Sequence, residues 1–161
     1  MKNTVFEIKV GMENSEEYFI EYCEEFYHNQ IEALAKKIAL IDGRCIVMIS
    51  GPSSSGKTTS SNLLLNKLAQ MGETAYIVSL DDFYLNPENQ PVLPDGTRDT
   101  ESVRSLDIAE IQKCFKELME NGESELPIFD FKNKRRSEKK NNIILPKRAA
   151  LIVEGLHGLN P

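Results

Sequence analysis

Gly51-Pro52-Ser53-Ser54-Ser55-Gly56-Lys57-Thr58 is a glycine-bounded run that ends in a lysine and a hydroxyl. It satisfies the pattern G-x-x-x-x-G-K-[ST] at every fixed position, and that spacing has a physical cause. Glycines let the backbone curl so that successive N–H groups converge on anionic oxygens. A helix starting at Lys57 adds unpaired N–H groups and the positive end of its dipole. Lys57 then brings a mobile cation to the β- and γ-phosphates of a nucleotide, and the Thr58 hydroxyl is placed to ligate Mg²⁺. Gly51, Ser53, Ser54, Ser55, Gly56, Lys57, Thr58 and Thr59 are the candidates for holding the phosphates. An acid at the end of an apolar run, Glu154, is the candidate for organising Mg²⁺. Ligands of open α/β sheets gather at such strand ends.

These groups need a frame. Arg44 to Ser50 is a short, nearly unbroken apolar run, which predicts a buried parallel strand. A helix is predicted from Lys57 to Met71, with Leu64, Leu68 and Met71 on one face and Gly72 as its stop. Thr74–Leu80 and 149–153 read as two more buried strands. Asp107 and Glu110 open a further helix as cap and partner, and Asn121-Gly122 ends it. Leu126–Phe131 and Asn142–Leu145 pair as a small hairpin with basic residues at its tip. Residues 81–105 read as a long ordered loop of the kind that carries function. Before all of this, residues 14–41 predict one long helix, because Phe19, Tyr22, Cys23, Phe26, Leu34, Ile38 and Ile41 recur at three- and four-residue spacing. The alternation of strand and helix indicates an α/β fold with a parallel sheet and a phosphate-binding loop, in three layers. The domain boundaries expected are 1–43 for a helical N-terminal segment and 44–161 for the nucleotide-binding domain.

Composition narrows the class. The 161 residues hold 25 Asp and Glu against 19 Lys and Arg, a net charge of −6, so no domain-wide nucleic-acid footprint is expected. No apolar run approaches the ~20 residues that cross a bilayer. Three scattered cysteines, Cys23, Cys45 and Cys114, suit free thiols in a reducing cytoplasm. The acidic cluster at Glu16–Glu25 reads as a solvated face. The basic run from Lys132 to Arg148 has a use beside a phosphate-handling cleft.

Four segments in order carry a resemblance: Gly-Pro-Ser-Ser-Ser-Gly-Lys-Thr-Thr at 51–59, Ser79-Leu80-Asp81-Asp82-Phe83-Tyr84, Leu126-Pro127-Ile128-Phe129-Asp130-Phe131, and Val153-Glu154-Gly155-Leu156-His157-Gly158. Residues 44–161 resemble the uridine kinase and phosphoribulokinase family. In particular they resemble bacterial uridine-kinase-like proteins in which the kinase domain follows a region similar to part of threonyl-tRNA synthetase. The resemblance implies transfer of the γ-phosphoryl group of ATP, with Mg²⁺, to a hydroxyl of a uridine- or cytidine-like nucleoside or a related small molecule. It gives Asp81 the role of base and metal ligand, at the end of the strand beside the phosphate loop. It makes Thr58 and Glu154 the other metal ligands, and places Tyr84, Glu101 and Phe129 around the acceptor. Asp99 competes with Glu101 for ribose hydroxyls, since a shift of two residues exchanges them. Asp82 is expected to point away as a solvated or capping acid, and Asp107 to serve as a helix cap. His157 is open to a buried or a solvated role, and His28 is expected on a helix surface.

Two departures stand out. Phe129 occupies a position where the family tends to have Tyr, and Lys134 stands near a position of a base-contacting His. Two polar contacts to a pyrimidine are thereby lost, which puts uridine itself in question as acceptor. Lys134 or Arg136 is instead placed to meet a phosphate or carboxylate. The alternatives carried forward are a nucleotide-binding regulatory module without turnover and a sugar-phosphate kinase. A GTPase is disfavoured because no Asn-Lys-x-Asp motif occurs. Because no arginine-bearing lid follows Pro161, the sequence is expected to be a fragment. The edge of its first strand would then be free to associate with another copy.

Overall fold

A computed structural model describes residues 4–160. Helix α1 spans Val5–Ala39. It starts nine residues earlier than the apolar stripe predicts, and the cause is local. Thr4 Oγ1 accepts a hydrogen bond from the Glu7 N–H (3.2 Å), and the Glu7 carboxylate accepts one from the Thr4 N–H (2.8 Å). This reciprocal cap satisfies two donors that would otherwise lack partners. The helix breaks once, at Ser15, whose φ of −169° and ψ of 108° are extended. The Tyr18 N–H then donates to Ser15 Oγ at 3.4 Å and restarts the coil.

Strand β1 (Arg44–Ser50) leads through the glycine-rich loop into helix α2 (Lys57–Gln70). Strand β2 (Ala75–Ser79) precedes the long segment, and helix α3 (Ile108–Glu120) follows it. A hairpin of β3 (Glu123–Asp130) and β4 (Arg135–Ile144) leads into β5 (Ala149–Gly155). The sheet order is β1-β5-β2, all parallel, with Val47 and Ile77 both opposite Ile152. The strand carrying Asp81 is therefore not beside the one feeding the phosphate loop; β5 lies between them.

β5 is central, so nearly all of it is buried, and its alternation feeds two cores. Leu151 and Val153 face α3 and the hairpin, packed with Phe83, Phe115, Leu118 and Leu145. Ala150 and Ile152 face the other way, onto Leu64 and Leu68 of α2 and Ala35 and Ile38 of α1. The result is a three-layer α/β fold. The end of α1 packs into the second of these cores. Farther up the stripe, Tyr22 stays exposed.

The hairpin is longer than expected on both strands. Its basic residues are mostly not at the tip: Arg135, Arg136, Lys139 and Lys140 lie on β4, and only Lys132 and Lys134 lie in the turn. Four cations of the run are paired: Arg135 with Glu88, Arg136 with Asp107, Lys140 with Glu125 and Arg148 with Glu73. The segment 81–105 is ordered as expected. Three short 3-10 turns punctuate it, Leu85 N–H donates to the Ser105 carbonyl (2.8 Å), and the buried Gln90 amide donates to the Leu85 carbonyl (2.7 Å).

Candidate functional site

Parallel strands deliver their C-terminal ends to one edge of the sheet, and the candidate residues collect there. The loop after β1 curls through two left-handed positions, Ser54 (φ 58°) and Gly56 (φ 86°). At Gly51 a Cβ would lie 2.7 Å from Ser55 Oγ, so a side chain there would have to displace that hydroxyl. Gly56 precedes α2 without a side-chain cap, so no side chain occupies the helix's first N–H groups. They face outward as anion donors. Lys57 Nζ lies over the loop and donates to the Pro52 carbonyl at 2.9 Å. Ser53, Ser54, Ser55 and Thr59 line the loop with exposed hydroxyls.

Thr58 and Glu154 are brought together. The Thr58 hydroxyl lies 3.1 and 3.0 Å from the two Glu154 carboxylate oxygens, to which it donates. Asp81 follows β2 at the same edge. Burial pushes its carboxyl above the usual carboxylate range; the charge of Lys57 pulls it back, while Glu154 and Asp82 push it further up. These three oxygen-bearing side chains fit Mg²⁺, a hard cation that takes oxygen donors and keeps several waters and phosphate oxygens of its own. No group of three or more His, Cys, Asp or Glu side chains that could hold a metal ion occurs among the described residues.

Asp82 is not the solvated or capping acid expected. Its Oδ1 accepts the Phe129 N–H at 3.1 Å, which fastens the hairpin to the end of β2, and burial raises its carboxyl too. Arg136 is likewise not an acceptor-facing group. Its guanidinium donates to the Tyr84 carbonyl (3.0 Å), the Phe83 carbonyl (3.0 Å) and Asp107 Oδ2 (3.1 Å). Asp107 caps α3 as expected, accepting the Glu110 N–H at 3.1 Å.

A cavity of about 500 Å³ opens beside this edge, lined by Tyr84, Pro87, Gln90, Arg98, Thr100, Phe129, Phe131 and Lys134. Tyr84 and Phe129 meet edge to face at 5.7 Å, and Phe129 and Phe131 at 5.1 Å. Three of the expected acceptor residues thus share one pocket: Tyr84, Phe129 and Lys134. Glu101 is exposed outside its lining, though its charge helps raise the Tyr84 hydroxyl, after burial and Asp81. The rival Asp99 is committed locally, its Oδ1 accepting the Glu101 and Ser102 N–H groups at 3.1 and 3.0 Å. Phe131 and Arg98 were not singled out from the sequence. Phe131 is the first residue of the turn after β3, and its ring meets Phe129 there. Arg98 comes close only through the fold of the long segment. His157 Nε2 is buried and has no hydrogen-bond partner among the described residues.

A phosphate loop between β1 and α2, an acid at the end of the central strand and a parallel three-layer sheet define a P-loop nucleotide-binding fold. Residues 46–160 match the family model described as the phosphoribulokinase / uridine kinase family, and the chain belongs to that family. A uridine kinase of Lactiplantibacillus plantarum is 28% identical over 111 residues, which are 69% of this chain and 51% of that protein. Inorganic pyrophosphatase TTM2 of Arabidopsis thaliana is 31% identical over 119 residues, 74% of this chain and 16% of that protein. A solved structure described as a possible uridine kinase from Bacillus stearothermophilus is similar with a TM-score of 0.64 at 25% identity, covering 79% of this chain and 70% of that one. The chain thus spans about half or less of the length of these curated relatives. No helix among the described residues is long and apolar enough to cross a membrane.

Proposed function

We propose that this chain serves ATP-dependent phosphoryl transfer to a hydroxyl of a small molecule. The observation that carries the reading is the meeting, at one sheet edge, of a phosphate loop, a half-buried carboxylate and an aromatic pocket. The loop N–H groups and Lys57 bind and orient the triphosphate. The pocket behind Tyr84 seats the acceptor, and Asp81 takes the proton of its hydroxyl as that oxygen bonds to the γ-phosphorus and ADP leaves. A carboxyl that burial holds above its usual range is a stronger base than an ordinary aspartate. Thr58, Glu154 and Asp81 would hold Mg²⁺, which neutralises charge on the phosphates. Family membership and kinase relatives support the reaction class.

The test is ADP release from ATP and Mg²⁺ with a panel of nucleosides, sugars and sugar phosphates, alongside direct ATP binding. Lys57→Ala should abolish ATP binding or turnover with the fold intact, because Lys57 is a cleft charge and not a core residue. Unchanged nucleotide affinity in that variant would sink the reading.

A further inference from the structure

Lys134 sits in the four-residue turn 131–134 that joins β3 to β4, at φ 52°. That left-handed conformation is strained for a lysine and comfortable for Gly or Asn. Asp130 already organises the turn by accepting the Lys132 and Asn133 N–H groups at 2.9 and 3.0 Å. Turn geometry therefore gives no reason for a lysine, and a non-glycine residue held in the left-handed region is a candidate for function. Its neighbours sharpen the contrast. Arg135 and Arg136 are each paired with a carboxylate, whereas Lys134 has none among the described residues.

Lys134 also lines the aromatic pocket, and so does Arg98, whose guanidinium donates to the Gln90 carbonyl (3.1 Å) and likewise meets no carboxylate among the described residues. Asp81 and Glu101 are the acids whose charge reaches Tyr84, and neither lines the cavity. The pocket thus presents two cations without an acid, beside Phe129 and the exposed Phe131 ring. Building on the phosphoryl-transfer reading, we infer that the acceptor is a flat-ringed molecule carrying an anionic group, carboxylate or phosphate, which Lys134 and Arg98 receive while the ring lies against the phenylalanines.

The test compares equilibrium binding of three probes to the chain: uridine, orotidine (the same nucleoside with a ring carboxylate) and D-ribose 5-phosphate (an anion without a ring). Orotidine should bind more tightly than uridine, by up to about fivefold, the scale of a solvated ion pair, and the margin should shrink with added salt. D-ribose 5-phosphate should bind more weakly than orotidine. Lys134→Asn should abolish the preference and melt no lower than wild type, since Asn suits the left-handed turn; Lys134→Arg should keep the preference. Equal affinity for uridine and orotidine, or a preference that survives in Lys134→Asn, would overturn the anionic acceptor. D-ribose 5-phosphate binding more tightly than orotidine would overturn the flat ring. ATP affinity is measured in the same samples: a chain that binds ATP without discriminating the probes fails on acceptor class alone, whereas one that binds no ATP fails at the phosphate loop.

Discussion

Asp81 is held where burial disfavours its charged form. Its folded-state carboxyl binds its proton more tightly than the same group in an unfolded chain, chiefly through burial. Ionising it therefore costs stability: the folded state is most favoured below the ordinary carboxylate range and loses that advantage as pH rises through the raised value. Asp81→Asn removes the penalty. Without nucleotide or Mg²⁺, the variant should melt higher than wild type near neutral pH, and the gap should close as pH falls toward about 4. In the same variant, transfer to an acceptor should drop by about 10²–10⁴ while ATP still binds. Melting curves of the two proteins taken from about pH 4 to pH 8 decide the first part. Parallel curves would show that the carboxyl is not strained.

Among the elements, the hairpin is the one whose placement matters most. It carries Phe129 and Lys134, and two tethers bind it to the segment after β2: Asp82 to the Phe129 N–H, and Arg136 to the Phe83 and Tyr84 carbonyls. Asp82→Ala leaves a half-buried N–H without its partner and should cost about 1–2 kcal/mol in urea unfolding. Because the tether holds a pocket wall and not the phosphate loop, the acceptor KM should rise while ATP affinity stays put. Equal losses of both would mean that Asp82 acts on the nucleotide.

A further pH dependence arises where α1 meets α2. Glu32 sits between Lys36 and Lys67, both at 2.8 Å, and its carboxyl is lowered to about 2, first through the bond to Lys36. The attachment is present above the ordinary glutamate range and is lost as pH falls toward about 2. Glu32→Gln should flatten that acid limb of the unfolding curve. An unchanged limb would show that the contact contributes nothing.

In the molecule as a whole, the last turns of α1 pack into the core formed by α2 and β5. Ala35 and Ile38 are buried against Leu64, Leu68 and Ile152, with Ile31 and Leu34 packed at the margin. Deleting residues 1–30 removes the first part of α1, whose described side chains are largely exposed, and should leave the core folded. Deleting residues 1–43 opens one face of the sheet, at a cost on the order of 5 kcal/mol, comparable to the whole stability of a marginal domain. Thermal unfolding and light scattering of the two truncations separate these outcomes. A soluble, cooperatively folded product of the longer deletion would show that α1 only leans on the domain.

The sequence by itself determined the phosphate loop, its flanking strand and helix, and the apolar run that becomes β5. Each is written in contiguous residues, because glycine positions, apolar runs and caps act through the local backbone. The early start of α1 was legible in the same way, in Thr4 and Glu7, but an apolar stripe alone does not register a cap. What only the tertiary structure decided are the pairings across long stretches of chain. Asp82 meets a backbone N–H 47 residues away, and Arg136 reaches carbonyls 52 and 53 residues earlier. A lone acid or arginine looks the same in sequence whether it staples a hairpin or meets a substrate. The difference lies in which partner comes within about 3 Å once β5 has taken its place between β1 and β2 and the hairpin has closed over the edge. Lys134 shows both halves: its charge was readable from the sequence, but its strained turn and its lack of a carboxylate partner emerge only from the folded chain.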